Sequence, residues 1–207
     1  MYIIKIGGRP ASDIPSLDLL LGDIGALMAA GKHCVLVHGG GADVSELSRK
    51  LGIEPVFIQG KRVTSAAEMD IVDMGLAGLV NTRLVRRAYA CGLRATGLSG
   101  ASAGLFAGAS VDRAANNRTG TITAVDTTIV NVLCGHGFLP VVSSVSVDET
   151  DKAGLNINAD DAAMALAVAC KAEALVYLSD IPGILKDGQV IRRIDAARAE
   201  AEIAAGV

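Results

Sequence analysis

The chain has 207 residues, is 51% hydrophobic, carries a net charge of −3 and has a mean hydropathy of +0.43. That size allows one large domain or two small lobes around a sizeable core, and the charge offers no basic field for nucleic acid. No apolar run reaches membrane-spanning length and the N-terminus lacks a signal-peptide layout, so no membrane partner and a cytoplasmic location are expected.

Tyr2–Ile6 reads as a buried strand running into Gly7-Gly8. Lys5 interrupts its apolar run, and a lysine there is costly unless it meets an anion or snorkels to the sheet edge. The glycines behind it favour the anion. Leu17, Leu20, Leu21, Ile24, Leu27 and Met28 recur at three and four residues, predicting a helix closed by Gly31. A strand starting at His33 then runs through Val35-Leu36-Val37-His38 into Gly39-Gly40-Gly41, and a helix follows with Val44, Leu47 and Leu51 at helical spacing. Strand, glycine turn and helix N-terminus together make an anion site: bare N–H groups and the positive helix end face the ligand, and no Cβ holds it away. His38 qualifies as a base, although a histidine closing a buried strand more often hydrogen-bonds backbone.

Pro55–Ile58 is a short extended piece, and Gln59–Thr64 a polar loop carrying Arg62. Arg62 is either a solvated cation or a bidentate partner for a carboxylate. Ser65 and Glu68 form a capping box opening a long helix through Met69, Val72, Leu76, Leu79, Val80 and Leu84 to near Gly92. Leu93–Leu98 is a strand. Leu105–Ala109 and Thr121–Ala124 predict a hairpin around Asn116-Asn117, an antiparallel flap over the sheet edge. Asp126–Gly135 is a helix, Phe138–Val145 a very apolar strand expected at the sheet centre, and Val147–Gly154 a charged turn.

In Leu155–Asp161 polar and apolar residues alternate at strand period, sending Asn156, Asn158 and Asp160 toward one cleft; Asn158 or Asp160 alternatively caps the following helix through Ala162, Met164, Leu166 and Val168. Ala174–Leu178 is a strand, and Ser179–Gly183 turns at its C-terminal end, where open α/β sheets bind ligands. Asp187-Gly188 marks a hairpin turn, and Asp195 caps an Ala-rich helix that Gly206 ends. Cys34, Cys91, Cys134 and Cys170 form no CxxC pair, so buried reduced thiols and no metal site are expected.

Strand–helix alternation predicts an α/β fold, a three-layer αβα sandwich with a mostly parallel central sheet. Gly7-Gly8, Gly39–Gly41, Asn156–Asp160 and Ser179–Gly183 all fall at strand C-terminal ends, which predicts one shared cleft. No GxxxxGK[ST] is present, nor a GxGxxG on the first strand, and no Ser-His-Asp or Cys-His arrangement stands out. What remains is anion handling by one lysine and fixed backbone dipoles. That suits phosphoryl transfer, best to a carboxylate, which needs no general base.

Six motifs in order, Ile4-Lys5-Ile6-Gly7-Gly8, Val37-His38-Gly39-Gly40-Gly41, Gly60-Lys61-Arg62-Val63-Thr64, Leu139-Pro140-Val141-Val142-Ser143-Ser144, Asn156-Ile157-Asn158-Ala159-Asp160 and Leu178-Ser179-Asp180-Ile181-Pro182-Gly183-Ile184-Leu185, resemble the amino-acid kinase family. The likeness is collinear from residue 2 to 207 and nearest to members that phosphorylate N-acetylglutamate. Gly97-Leu98-Ser99-Gly100 and Thr119-Gly120-Thr121-Ile122 look nearer to relatives acting on carrier-protein-bound aminoadipate or glutamate.

The resemblance implies an amino-acid/carbamate kinase-like fold, with residues 1–150 a substrate-binding lobe carrying the glycine turns and 151–207 the start of a nucleotide-binding lobe. It implies ATP-dependent phosphorylation of the γ-carboxylate of N-acetyl-L-glutamate to an acyl phosphate, in arginine biosynthesis, with Mg²⁺ arriving on ATP. Lys5 is then the transition-state stabiliser and Asp160 the residue that orients the catalytic lysines. Gly8, Gly40 and Gly41 hold phosphoryl group or substrate through their N–H groups. Arg62 pairs with the α-carboxylate and Asn156 with the N-acetylated end. Asp180, Ile181, Gly183, Ile184 and Leu185 line the nucleotide site. Family members carry a further segment with a Gly-Gly-Met-type turn and a second catalytic lysine, so these 207 residues are expected either to be a weakened kinase or a non-catalytic binding relative. The expected partners are an N-acylated amino acid, ATP and a second copy in a homodimer without arginine feedback.

Overall fold

The computed structural model describes residues 1–7, 11, 13–58, 61–186 and 188–204, with Lys61 described in its backbone only. Gly8, Gly60, Asp187 and Gly206, each given a part by the sequence, lie outside the described residues. In order come β1 (Tyr2–Ile6), α1 (Ile14–Ala29), β2 (Cys34–His38), α2 (Gly41–Lys50), β3 (Val56–Ile58) and β4 (Lys61–Val63). A long helical wall follows, made of α3 (Ala66–Asp73), a π turn (Met74–Val80) and α4 (Asn81–Ala90). Next are β5 (Ala95–Ser99), β6 (Phe106–Ser110), β7 (Thr119–Val125), α5 (Thr128–Gly135), β8 (Leu139–Ser143), β9 (Val145–Asp148) and β10 (Gly154–Ile157). Then come α6 (Ala159–Ala169), β11 (Ala174–Leu178), the two-residue strands β12 (Leu185–Lys186) and β13 (Gln189–Val190), and α7 (Ala196–Ala204).

Five parallel strands in the order β11-β1-β2-β8-β5 form the middle layer. Side chains alternate across a strand, so each face carries its own core. Ile3, Val35, Val37 and Val142 pack against Val130, Ala162 and Leu166 of α5 and α6. Ile4, Ile6, Leu36 and Val141 pack against Leu17, Leu21 and Ile24 of α1 and Leu84 and Ala88 of α4. This is the αβα sandwich that the alternation predicts. The middle strand is β2, buried at every residue; β8 is also fully buried but lies second from the β5 edge, so the expected centre is displaced by one strand.

The region after β5 departs from expectation. β6 and β7 pair antiparallel, but instead of forming a flap they join β9 and β10 in a closed four-stranded barrel, in the order β10-β7-β6-β9. The expected charged turn at Val147–Gly154 is a hairpin, with Asn156 paired to Val145 and Gly154 to Val147. Asp148 looks like turn chemistry, yet it is buried. One Arg113 nitrogen reaches both its carboxylate oxygens at 2.7 Å and the Thr150 N–H donates to it at 2.8 Å. These bonds hold its carboxyl down at about 2. Residues 61–63, read as loop, are β4, paired antiparallel with β3 so that Phe57 faces Arg62. The Ser65–Glu68 capping box is present as read. All four cysteines are free; Cys34 and Cys134 are buried, but Cys91 is exposed at the end of α4. Among the described residues no helix is long and apolar enough to cross a membrane.

Candidate active site

The turn from β2 into α2 is the centre of the site. Gly40 is the N-cap of α2 and brings no side-chain acceptor, so the first N–H groups of the helix stand open. Gly39, Gly40 and Gly41 line a cavity of about 250 Å³. Gly40 is there because of close approach: a Cβ would lie 2.9 Å from both Leu76 and Val80 of the π turn. In return, a Cβ on Gly75 would lie 2.8 Å from Val44 of α2. The helical wall therefore presses directly on the glycine turn.

Lys5 reaches the same cavity from the neighbouring strand β1. Its side chain is only 12% exposed, and its Nζ lies 2.8 Å from Asp160 Oδ1. The ammonium occupies space that a side chain at Gly7 would fill, with Nζ 2.5 Å from the Cβ position. Asp160 stands in the first turn of α6, where the helix end favours an acid. The strand ends at Ile157, and Asn158 caps α6 by accepting from the N–H groups of Asp160 and Asp161. Strand alternation therefore does not bring Asn156, Asn158 and Asp160 together; one strand residue, one cap and one helix residue converge on the cavity instead.

Arg62 forms the far wall. Its Nη2 donates to Ser45 Oγ at 2.5 Å, and its guanidinium lies 5.0 Å from the Phe57 ring centroid. Ser45 Oγ in turn donates to the Gly41 carbonyl at 2.7 Å. Arg62 Nη1 is buried and has no hydrogen-bond partner among the described residues. Burial disfavours the guanidinium's charge and lowers its pKa, an effect that the nearby Glu68 carboxylate opposes. A guanidinium fixed and partly desolvated at the cavity wall is suited to a ligand carboxylate.

The barrel holds this wall in place. Thr119 Oγ1 donates to the Arg62 carbonyl and accepts from the Thr64 N–H, and Asn156 Nδ2 donates to Thr64 Oγ1 at 3.0 Å. His38 lies behind the turn, not in the cavity lining. Burial pushes its imidazole down to about 4, so it is neutral and hydrogen-bonded rather than a base.

Lys5, Gly40, Gly41, Arg62, Asn156 and Asp160 thus share one cavity. Asp180, Ile181, Gly183, Ile184 and Leu185 are not in its lining. They follow β11, which flanks β1, and Ile181, Ile184 and Leu185 are exposed there. Val44, Phe57, Val72, Leu76, Thr119 and Ser144 also line the cavity, none of them read as a site residue in the sequence. Val72 and Leu76 carry ordinary helix-core spacing and give no signal of their own, whereas Thr119 belongs to a motif that was visible. The Gly97–Gly100 motif has a packing explanation: side chains there would meet Asn81 Oδ1 and the Val145 carbonyl, each at 2.0 Å. Among the described residues no group of three or more His, Cys, Asp or Glu is placed to hold a metal ion.

A parallel α/β sandwich with an ammonium group and open helix amides at one cavity defines a phosphotransferase-type anion site. The amino acid kinase family model matches residues 1–206, and the chain belongs to that family. It is 39% identical over 209 aligned residues to the acetylglutamate kinase of Nostoc punctiforme, covering 99% of this chain and 70% of that one. It is 38% identical to the acetylglutamate kinase of Symbiobacterium thermophilum, covering 99% of this chain and 73% of the relative. Among solved structures, smu.665 from Streptococcus mutans UA159 superposes with a TM-score of 0.87 at 27% identity, covering 99% of this chain and 82% of that one. Carbamate kinase from Giardia lamblia shares the fold, with a TM-score of 0.72 at 11% identity, covering 99% of this chain and 83% of that chain.

Proposed function

We propose that the chain is an N-acetyl-L-glutamate kinase, transferring the γ-phosphoryl group of ATP to the substrate's γ-carboxylate. The observation that carries this reading is the convergence of Lys5, the Gly40–Gly41 turn and Arg62 on one cavity. On this reading one charged anchor serves a carboxylate and a second set of donors serves phosphoryl oxygens. The relatives named acetylglutamate kinase support the substrate.

In the step proposed, a γ-carboxylate oxygen forms a bond to the γ-phosphorus as the bond to the ADP oxygen breaks. The products are an acyl phosphate and ADP, and no proton is removed from the nucleophile. Lys5 Nζ, with one contact on Asp160, has further hydrogens for the phosphoryl oxygens. The amides of Gly40 and Gly41 meet the same charge, which grows little and is mainly relocated. Arg62 takes the α-carboxylate and Asn156 the N-acyl end, while Gly8 adds a further amide. Mg²⁺ enters on the nucleotide phosphates, which suits an ion that prefers phosphate oxygens and few carboxylates. Asp180, Ile181, Gly183, Ile184 and Leu185 form one side of the nucleotide site, on the 151–207 side of the division from the 1–150 substrate lobe. A cytoplasmic homodimer is the proposed state.

A coupled ADP-release assay with N-acetylglutamate tests the reading, run beside glutamate and aminoadipate derivatives. ADP release dependent on N-acetylglutamate is the expected result. Substrate binding without turnover indicates a binding relative, and preference for another acid moves the substrate.

A further inference from the structure

We propose that His38 and Asn81 are positioning residues which set the Gly39–Gly40 peptide so that the Gly40 N–H is presented to the cavity. The proposal rests on the reading of that turn as the phosphoryl cradle. It follows from a chain of contacts that runs from Asn81 through His38 to the Gly39 carbonyl.

Asn81 opens α4 and is buried against three strands, β2, β5 and β8. Its Nδ2 lies 2.8 Å from the Val141 carbonyl of β8 and 3.3 Å from the Leu98 carbonyl of β5. Carbonyl oxygens only accept, so the amide nitrogen must face them. The amide oxygen is seated instead on Gly97, 2.0 Å from where a Cβ would be. The same Nδ2 is 3.0 Å from His38 Nε2. The amide has two hydrogens, and its two shorter contacts are the Val141 carbonyl and Nε2; with the second hydrogen given to the ring rather than to the longer Leu98 contact, Nε2 accepts and carries no proton. The proton of the neutral ring is therefore on Nδ1, which lies 2.8 Å from the Gly39 carbonyl, another pure acceptor. The two His38 contacts together favour this one tautomer.

In a trans peptide the carbonyl and the following N–H point in opposite directions. Drawing the Gly39 carbonyl back toward His38 therefore turns the Gly40 N–H the other way, away from the ring and toward the cavity that Gly40 lines. A turn of three glycines has little conformational preference of its own. A flipped 39–40 peptide would show an anion an oxygen instead of a hydrogen.

His38→Leu removes the Nδ1 donor while filling the site, and His38→Asn returns a donor near the Nδ1 position. In the ADP-release assay, His38→Leu is expected to lose on the order of 10²-fold in kcat, as for a lost charge-stabilising donor, with the KM for the acid little changed. His38→Asn is expected to recover much of that loss, and thermal melts report folding. A second readout is the Gly40 amide nitrogen resonance on titration with inorganic phosphate: it should shift in the wild type and His38→Asn, and not in His38→Leu. The ring nitrogen shifts of His38 read the tautomer directly, Nδ1-protonated in the wild type and mixed in Asn81→Leu. A wild-type ring protonated on Nε2 overturns the proposal, and so does a folded His38→Leu protein with wild-type kcat or phosphate response. A wild type showing neither turnover nor a Gly40 response overturns the kinase reading instead, and the ring measurement still judges the positioning chain.

Discussion

A lysine inside an apolar strand and a buried arginine at the cavity wall are the two residues whose chemistry is most exposed to test. Lys5 is 12% exposed and its partner Asp160 54%, so the pair is open on one side, toward the cavity. Lys5→Met keeps the stem and removes the charge. It should lower kcat by on the order of 10²–10³, about 3–4 kcal/mol of transition-state stabilisation, while leaving the melting curve near the wild type's. Initial rates beside thermal melts decide this, and a wild-type kcat would remove Lys5 from the chemistry. Arg62→Ala should act on binding. A hydrogen bond to a charged group is worth about 1.5–3 kcal/mol, so KM for the acid should rise at least tenfold with kcat changing less. Lys5 was legible in the sequence because a charge in a buried strand has few explanations. Arg62 was only half legible: a three-residue strand shows no period, and the burial of its guanidinium depends on Phe57, Ser45 and the barrel rim.

At the scale of elements, the π turn is what the sequence hid. Apolar residues from Met69 to Leu84 read as one helix, and the structure is one continuous helical wall, but Met74–Val80 is wound wider. A π turn changes which side chains face inward without disturbing the apolar count, so periodicity alone does not reveal it. It brings Leu76 and Val80 onto Gly40 and fits Gly75 under Val44. Gly75→Ala should therefore overpack the junction with α2, costing about 1–3 kcal/mol in denaturant unfolding and raising KM, since Val44 and Leu76 line the cavity. Gly78→Ala is the matched control: its Cβ meets nothing nearer than the Asp73 carbonyl at 3.9 Å. Equal losses for both would mean that helix geometry, not the contact with Val44, is being disturbed. The barrel was concealed for a different reason. β6 and β7 read as hairpin strands, but β9 is four residues long and ends in an aspartate that reads as turn chemistry, because its partner, Arg113, lies 35 positions earlier. The inner strands β2 and β8 were readable because helices cover both their faces and force continuous apolar runs.

For the whole molecule, two buried titratable groups in different layers make stability depend on pH in two separate windows. His38 lies in the parallel sheet, and burial lowers its pKa from 6.5 to about 4. Between those values the unfolded chain binds a proton that the folded chain refuses. The stability is therefore complete above the ordinary histidine range and is lost as pH falls toward 4. At 1.36 kcal/mol per unit the loss is about 3 kcal/mol. Asp148 lies in the barrel, where the Arg113 guanidinium holds its pKa at about 2 against an ordinary 3.8. Its contribution is present above the ordinary carboxylate value and disappears as pH falls through 2, below the histidine window. Urea unfolding from pH 7 to pH 3 should thus decline first through His38. His38→Leu should flatten the curve between pH 6.5 and 4, whereas Arg113→Ala should lower stability at neutral pH and leave that upper slope intact. If sheet and barrel unfold as one cooperative unit, fluorescence and circular dichroism will report both variants in a single transition. A barrel that melts alone will split the curve, with Arg113→Ala moving only one of the two steps. The cavity stands between these layers, with Lys5 and the glycine turn on the sheet and Asn156 and Thr119 on the barrel. A split transition would therefore predict that acid or Arg113→Ala weakens binding of the acid substrate before the sheet itself unfolds.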